Sequence, residues 1–261
     1  QSTEATEVTS EGLVMATTKA NGQPTKRTAK RKKPINQNFL LDITPLTDNQ
    51  MVMFDEWDKG KNLFTYGCAG TGKTFIALYL ALKDILSDNN PYQKLYIVRS
   101  LVSTREIGFL PGDHDDKALL YQIPYKNMVR HMFKMPDDNA FDMLYENLKH
   151  QETISFWSTS FIRGTTLDNA IVLVDESQNL NFHELDSIIT RVGQDSRIIF
   201  AGDVFQTDLV RQNEKNGILD FQRILEAMDE FSSVEFGVED IIRSGLVKSY
   251  LISKINTGQN E

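Results

Sequence analysis

Eight consecutive residues, Gly67-Cys68-Ala69-Gly70-Thr71-Gly72-Lys73-Thr74, have the spacing G-x-x-x-x-G-K-T, between a short apolar run and a run typical of a helix. Glycines let such a loop curl so that its backbone N–H groups point at a phosphate, and the helix N-terminus adds further donors. The lysine reaches the β- and γ-phosphates, and the last hydroxyl is a Mg²⁺ ligand. The stretch predicts an ATP site with Mg²⁺ on Thr74. Its predicted ATP-binding residues are Gly67, Cys68, Ala69, Gly70, Thr71, Gly72, Lys73, Thr74 and Phe75.

A pair of acids ends the chain's clearest strand pattern, Ala170-Ile171-Val172-Leu173-Val174. This pattern indicates a buried strand whose last residues, Asp175 and Glu176, reach the edge of a sheet. With a phosphate loop upstream, Asp175 is predicted to hold the Mg²⁺ shell and Glu176 to polarise the attacking water. Lys73 and Glu176 are therefore predicted catalytic residues.

Other polar side chains fall at the ends of predicted strands, where an open α/β sheet binds its ligands. Gln206 follows the strand over 197–201 and is predicted to sense the γ-phosphate or the water. Arg99 and Ser103 follow the strand over 95–98 and are candidates for substrate contacts. Gln50, in the helix before the first strand, is either a reader of adenine or an exposed polar residue of the first turn.

Strand and helix patterns alternate along the chain. Strands are predicted at 62–66, 95–98, 154–157, 170–174, 197–201 and 234–236, and helices at 44–58, 73–87, 182–192, 217–228 and 239–255. A long insertion with helices occupies 104–150, and one helix within it is expected to break at Pro124. We predict an α/β fold with a mostly parallel sheet, helices on both faces and a helical insertion after the second strand.

Composition bounds the remaining possibilities. The chain has 261 residues, a net charge of −8 and one cysteine, which excludes an internal disulfide and a multi-cysteine metal site. No apolar run suggests a membrane span or a signal peptide, so a cytoplasmic protein is expected. Residues 1–34 hold seven Lys or Arg and three Glu, and six of those positive charges fall within 26–33. This segment is predicted to be disordered, and it is either an arm for RNA or DNA phosphates or a solvated linker.

Taken together, these motifs resemble the PhoH-like family of P-loop ATPases, in the form carried by phages. The blocks that carry the resemblance are Gly67–Thr74, Ile107–Asp113 with Lys117, Phe161–Leu167, Val174–Asn179, Thr190–Gly193, Gly202–Leu209 and Asp240–Arg243. The resemblance implies a RecA-like core, ATP hydrolysis and a link to RNA handling, with helicase activity in members that also carry a PIN nuclease domain. We expect a tail over 1–43, too short for a PIN domain, and an ATPase domain over 44–261. Ser100 and Ser177 depart from the usual proline and alanine of the family.

Phosphoryl transfer also needs a second cation on the γ-phosphate. We expect an arginine of a neighbouring subunit to supply this cation. Arg243 is the preferred candidate, and Arg191 and Arg163 are the next. Such an arrangement predicts a homo-oligomer that forms a hexameric ring. The alternative for each of these arginines is an ion pair with a local acid. Arg163 is also, with Arg99 and Ser103, a candidate contact for RNA or single-stranded nucleic acid. The hypotheses are an ATPase acting on RNA, including as a helicase, a nucleotide-gated scaffold that does not unwind, and a small-molecule kinase.

Overall fold

A six-stranded sheet forms the centre of the molecule. The computed structural model describes residues 35–100, 114–162, 164–203 and 212–257. The strands are β1 (Asn62–Gly67), β2 (Lys94–Arg99), β3 (Ile154–Ser158), β4 (Ala170–Asp175), β5 (Arg197–Ala201) and β6 (Phe231–Phe236). Their order is β3-β2-β4-β5-β1-β6, and every neighbouring pair is parallel. The carboxyl ends of all six strands therefore lie along one edge of the sheet.

Helices cover both faces of this sheet. They are α1 (Asp48–Asp58), α2 (Lys73–Ile85), α3 (His114–Arg130), α4 (Asp138–His150), α5 (Thr159–Ile162), α6 (Phe182–Ile189), α7 (Gln212–Glu226) and α8 (Gly245–Asn256), with short 3-10 helices at Gln37–Phe39, Ser177–Asn179 and Val238–Asp240. Side chains of a strand alternate between faces. In β4, Ile171 and Leu173 pack in the core under α1 to α4, whereas Val172 and Val174 pack in the core under α5 to α7. This architecture confirms the predicted α/β class, parallel sheet and helical insertion.

The insertion between β2 and β3 contributes α3 and α4. The sequence predicted a break at Pro124, but α3 continues through it. Proline in a helix interior costs about 3 kcal/mol through a lost hydrogen bond and a clash. The residues that follow it on one face, Tyr125, Val129 and Met132, are fully buried, so tertiary packing outweighs that cost. The turn-rich block over 107–113 lies outside the described residues.

The connection from β6 to α8 differs from the predicted helix over 239–255. Residues 238–240 form a 3-10 turn, and α8 begins only at Gly245, so Arg243 precedes the helix. The buried Asp240 carboxylate accepts hydrogen bonds from the Gly237 N–H and the Asn49 amide, each at 2.8 Å. These bonds tie the connection to α1 and to the end of β6.

Residues just before the predicted domain boundary at 44 also belong to this core. Leu40 is buried, and the Leu41 N–H donates to the Met132 carbonyl at 2.7 Å. The Lys134 N–H donates in turn to the Phe39 carbonyl at 2.8 Å. Residues 1–34 lie outside the described residues, and the basic tail stays a prediction. In the described part of the chain, none of the helices has the length and apolar character that crossing a membrane requires.

Candidate nucleotide site

The loop between β1 and α2 is shaped by three glycines with positive φ: Gly67 at 114°, Gly70 at 74° and Gly72 at 87°. A Cβ atom on Gly67 would lie 2.2 Å from the Phe236 carbonyl oxygen, so only glycine fits between β1 and β6. The N-cap of α2 is Gly72, which has no side chain with which to cap the helix. The first-turn N–H groups of α2 are therefore available to an anion, as the sequence motif predicts.

The Lys73 side chain is folded into this loop and is 6% exposed. Its Nζ donates to the Cys68 carbonyl at 2.6 Å and to the Gly67 carbonyl at 3.3 Å. It also forms an ion pair of 2.7 Å with Oδ1 of Asp203, which follows β5. The ammonium is thus held at the centre of the loop, where a phosphate would compete with Asp203 for it.

Thr74 and Asp175 meet at the tips of α2 and β4. The Thr74 hydroxyl donates to Oδ1 of Asp175 at 2.7 Å, so the two predicted metal ligands lie side by side. The other carboxylate oxygen, Oδ2, accepts a hydrogen bond of 2.6 Å from the Tyr125 hydroxyl of α3. Burial, together with the Asp175 charge, raises the pKa of Tyr125, so this hydroxyl keeps its proton. Sequence reasoning missed Tyr125, because a tyrosine at helical spacing looks the same whether it packs or serves a site.

Oxygen donors of this kind suit Mg²⁺. A hydroxyl and a carboxylate are hard ligands, and Mg²⁺ in nucleotide sites takes one or two protein oxygens along with phosphate oxygens and waters. The described residues include no cluster of three or more His, Cys, Asp or Glu that would hold a metal ion. The Thr74–Asp175 pair therefore fits a metal that arrives with a nucleotide.

Glu176 lies at the mouth of the same site in the left-handed backbone region, with φ of 52°. Its Oε2 accepts a hydrogen bond of 2.7 Å from the Gln178 amide, and Oε1 lies 3.8 Å from the Arg99 guanidinium. Burial of its carboxylate raises the pKa of Glu176, and the neighbouring Asp175 charge raises it further. A carboxylate with a raised pKa is a better proton acceptor, which suits the predicted role of activating water.

Gln178 joins the tips of β4 and β5. Its side chain is 4% exposed; the amide donates to Glu176, and the oxygen accepts from the Asp203 N–H at 3.0 Å. A Cβ atom on Gly202 would lie 2.5 Å from that oxygen, so the glycine leaves room for it. Sequence analysis noted Gln178 only within a family block. It positions two acids of the site.

Arg243 lies beside the phosphate loop of its own chain. A Cβ atom on Gly70 would be 3.0 Å from Cγ of Arg243, and the Ile242 N–H donates to the Gly70 carbonyl at 3.2 Å. The arginine is exposed and lines, with Lys73 and Asp175, a cavity at the phosphate loop that is called the phosphate cavity below. The sequence hypothesis, that Arg243 completes the site of a neighbouring subunit, stays a prediction.

Gln50 braces the loop from the other side. It is 1% exposed, so the alternative of an exposed first-turn residue is wrong. Its amide nitrogen donates to the Thr71 carbonyl and its oxygen accepts from the Leu46 N–H, both at 2.8 Å. Both ends of the carboxamide are bonded within the chain, and reading of adenine stays a prediction.

These elements surround a cavity of about 380 Å³. Its lining includes Ala69, Gly70, Thr71, Gly72, Lys73, Thr74, Phe75, Met128, Asp175, Glu176, Gly202, Asp203 and Arg243. Gly67 and Cys68 line an adjacent apolar cavity of about 270 Å³ beside α8. Arg99 lies behind Glu176 and over the Tyr121 ring at 5.9 Å, whereas Arg191 follows α6. Ser103, Arg163 and Gln206 lie outside the described residues, so their roles stay predictions.

Comparison with known proteins agrees with the motifs. The family model described as PhoH-like protein matches residues 42–253. A PhoH-like protein of Synechocystis is 34% identical over 71% of this chain and 54% of its own length. Protein PhoH of Escherichia coli is 30% identical over 72% of this chain and 51% of its own. The chain thus spans about half the length of these curated relatives.

Solved structures show weaker likeness. The large terminase of a thermophilic bacteriophage, in complex with ADP, has a TM-score of 0.45 and 14% identity, over 79% of this chain and 49% of the terminase. Pif1 helicase of Candida albicans has a TM-score of 0.34 and 16% identity, over 74% and 40% of the two chains. The family match over residues 42–253 spans the loop, both acids and Arg243. The chain belongs to the PhoH-like protein family.

Proposed function

We propose that this protein hydrolyses ATP with Mg²⁺. The observation that carries the proposal is the 2.7 Å hydrogen bond between Thr74 and Asp175 at the start of α2, in one cavity with Lys73 and Glu176. These are the groups that phosphoryl transfer needs, because its catalysis is mainly positioning and neutralisation of charge. Mg²⁺, when bound with the nucleotide, supplies further neutralisation of the phosphate oxygens.

Each residue has a defined task in this proposal. Backbone N–H groups of the loop and the start of α2 bind the phosphates, and Lys73 leaves Asp203 to contact the terminal ones. Glu176, held by Gln178, orients a water and accepts its proton. Gln206 is proposed to sense the γ-phosphate.

Arg243 is proposed to contact the γ-phosphate of the ATP that is bound to its own chain. Its position beside Gly70 supplies, within one molecule, the cation that the sequence analysis sought in a neighbouring subunit. The principal reason for expecting a ring is then removed. A hexameric homo-oligomer stays a prediction, as does a cytoplasmic location in a phage host.

RNA or single-stranded nucleic acid is the proposed partner, and helicase activity is the finer hypothesis. Support comes from the family resemblance and from the basic run over 26–33. Arg99, whose guanidinium lies near Glu176 and the Tyr121 ring, stays a proposed contact. Ser103 and Arg163 remain proposed contacts.

The test is release of free phosphate from ATP, with and without Mg²⁺, single-stranded RNA and single-stranded DNA. Wild-type protein is expected to release phosphate only with Mg²⁺, and Lys73→Ala is expected to release none. Stimulation that weakens steeply with salt supports action on nucleic acid. Hydrolysis indifferent to nucleic acid supports the nucleotide-gated scaffold, and a phosphorylated acceptor instead of free phosphate supports a kinase. Absence of Mg²⁺-dependent ATP binding and turnover refutes the proposal.

A further inference from the structure

Helix α3 presents three residues to the nucleotide site from successive turns. Tyr121 lies beneath the Arg99 guanidinium, Tyr125 bonds to Asp175, and Met128 lines the phosphate cavity. Residues three and four apart share one face of a helix, so these contacts belong to one stripe. The insertion therefore reaches the site through α3.

The Asp175 carboxylate is only 5% exposed, and each of its oxygens receives one hydrogen bond. Thr74 donates to Oδ1 at 2.7 Å, and Tyr125 donates to Oδ2 at 2.6 Å. The terminal torsion of an aspartate is broad, so its carboxylate turns readily unless neighbours fix it. Donors from two different helices fix both oxygens here, and Oδ1 is kept on the side of Thr74.

The Tyr125 hydroxyl is itself held firmly. The side chain is 1% exposed, and its ring packs against Phe156 of β3 with centroids 5.5 Å apart. From this fixed position the hydroxyl donates its proton to Asp175. Packing of α3 against β3 thus sets the direction of this bond.

We propose that Tyr125 is a positioning residue that orients Asp175 for Mg²⁺, an inference that rests on the proposed function. Groups that hydrogen-bond to metal ligands commonly raise metal affinity, and their loss costs about 10- to 100-fold. Without the hydroxyl, the carboxylate can rotate away from Thr74. Tyr125 then sets the Mg²⁺ concentration that nucleotide binding requires, although it does not contact the nucleotide.

The experiment compares Tyr125→Phe with Tyr145→Phe. Tyr145, on α4, is also buried, and its hydroxyl has no hydrogen-bond partner among the described residues. Both variants lose one buried hydroxyl, but only the first loses a bond to the site. ADP affinity is measured by calorimetry over a Mg²⁺ titration and again in EDTA, together with the Tm of each protein.

Mg²⁺ raises ADP affinity above its value in EDTA, and the Mg²⁺ concentration that gives half of this increase is expected to be about tenfold higher for Tyr125→Phe than for wild type. Tyr145→Phe is expected to match wild type, and affinity in EDTA is expected to be equal in all three proteins. An unchanged Mg²⁺ midpoint in Tyr125→Phe, even with a lower Tm, overturns the inference and leaves a packing role only. Tyr125→Met, which keeps an apolar contact with Phe156, gives the same test if the phenylalanine variant does not fold. If wild type itself shows no Mg²⁺-dependent ADP binding, the proposed function fails along with the inference.

Discussion

The Lys73 ammonium lies 2.7 Å from the Asp203 carboxylate, and both side chains are largely buried, at 6% and 17% exposure. The pair joins the start of α2 to the tip of β5 and stands where phosphate would bind. Any nucleotide must therefore exchange an internal salt bridge for its own contact with Lys73.

Asp203→Asn is expected to tighten ADP binding, because Lys73 no longer has to leave an anion. We expect a gain of about tenfold, equivalent to about 1.4 kcal/mol. The free protein is expected to lose stability, since the lysine then lacks its partner, while the ADP complex loses less. Calorimetry and thermal melts with and without ADP measure both effects. Weaker ADP binding by the variant would show that Asp203 assists the ligand instead of competing with it.

Glu176→Gln is expected to keep nucleotide affinity and to lower turnover by about 10²- to 10⁴-fold. The amide preserves the shape of the side chain but cannot accept a proton from water. Single-turnover hydrolysis together with ATP binding separates the two effects. Nearly normal turnover in this variant would remove Glu176 from its proposed role.

Arg243→Ala is expected to lower turnover by about 10²-fold, as the loss of one donor to developing charge does elsewhere. Because Arg243 lies beside Gly70 of its own chain, a mixture of Lys73→Ala and Arg243→Ala proteins is expected to be no more active than Arg243→Ala alone. If the arginine acts within its own chain, every chain in the mixture lacks either Lys73 or Arg243 at its own site. Recovered activity would mean that the arginine acts between subunits, as first expected from the sequence.

Gly67→Ala is expected to destabilise the fold far more than Gly60→Ala. Both glycines have positive φ, but a Cβ atom on Gly67 meets the Phe236 carbonyl at 2.2 Å, whereas one on Gly60 meets nothing within 4 Å. The Gly60 variant is expected to lose about 1 kcal/mol from backbone strain alone. Urea unfolding of both variants gives the comparison. Equal losses would contradict the tight approach of β6 to the loop.

Arg197→Ala is expected to lower the free energy of unfolding by about 3 kcal/mol. Its guanidinium stacks on the Trp57 ring at 3.2 Å and pairs with Asp84 at 3.5 Å, at the end of the sheet away from the site. Arg223→Ala serves as the control, because its pair with Asp220 is exposed and such pairs contribute about 0–1 kcal/mol. Denaturant titration measures both, and similar losses would contradict the distinction.

Local patterns in the chain were enough to predict the fold class and the principal site. Two patterns were decisive: a glycine-rich loop before a helix, and four aliphatic residues before two acids. Both can be recognised from neighbouring residues, because backbone geometry and the apolar pattern of a buried strand are local properties. From those patterns follow the parallel sheet and the roles proposed for Lys73, Thr74, Asp175 and Glu176. The same patterns could not exclude an exposed Gln50, because exposure depends on what packs over the first turn of α1.

Contacts between residues far apart in the chain became visible only in the folded molecule. Tyr125 reaches Asp175 over 50 positions of sequence, and Arg243 reaches Gly70 from the far end of the chain. The spacing of residues along the sequence does not predict such contacts, since they depend on strand order and on how the helices pack over the sheet. The order β4-β5-β1-β6 brings the tips of four strands to one loop, which is why the acids, Asp203 and Arg243 share a single cavity.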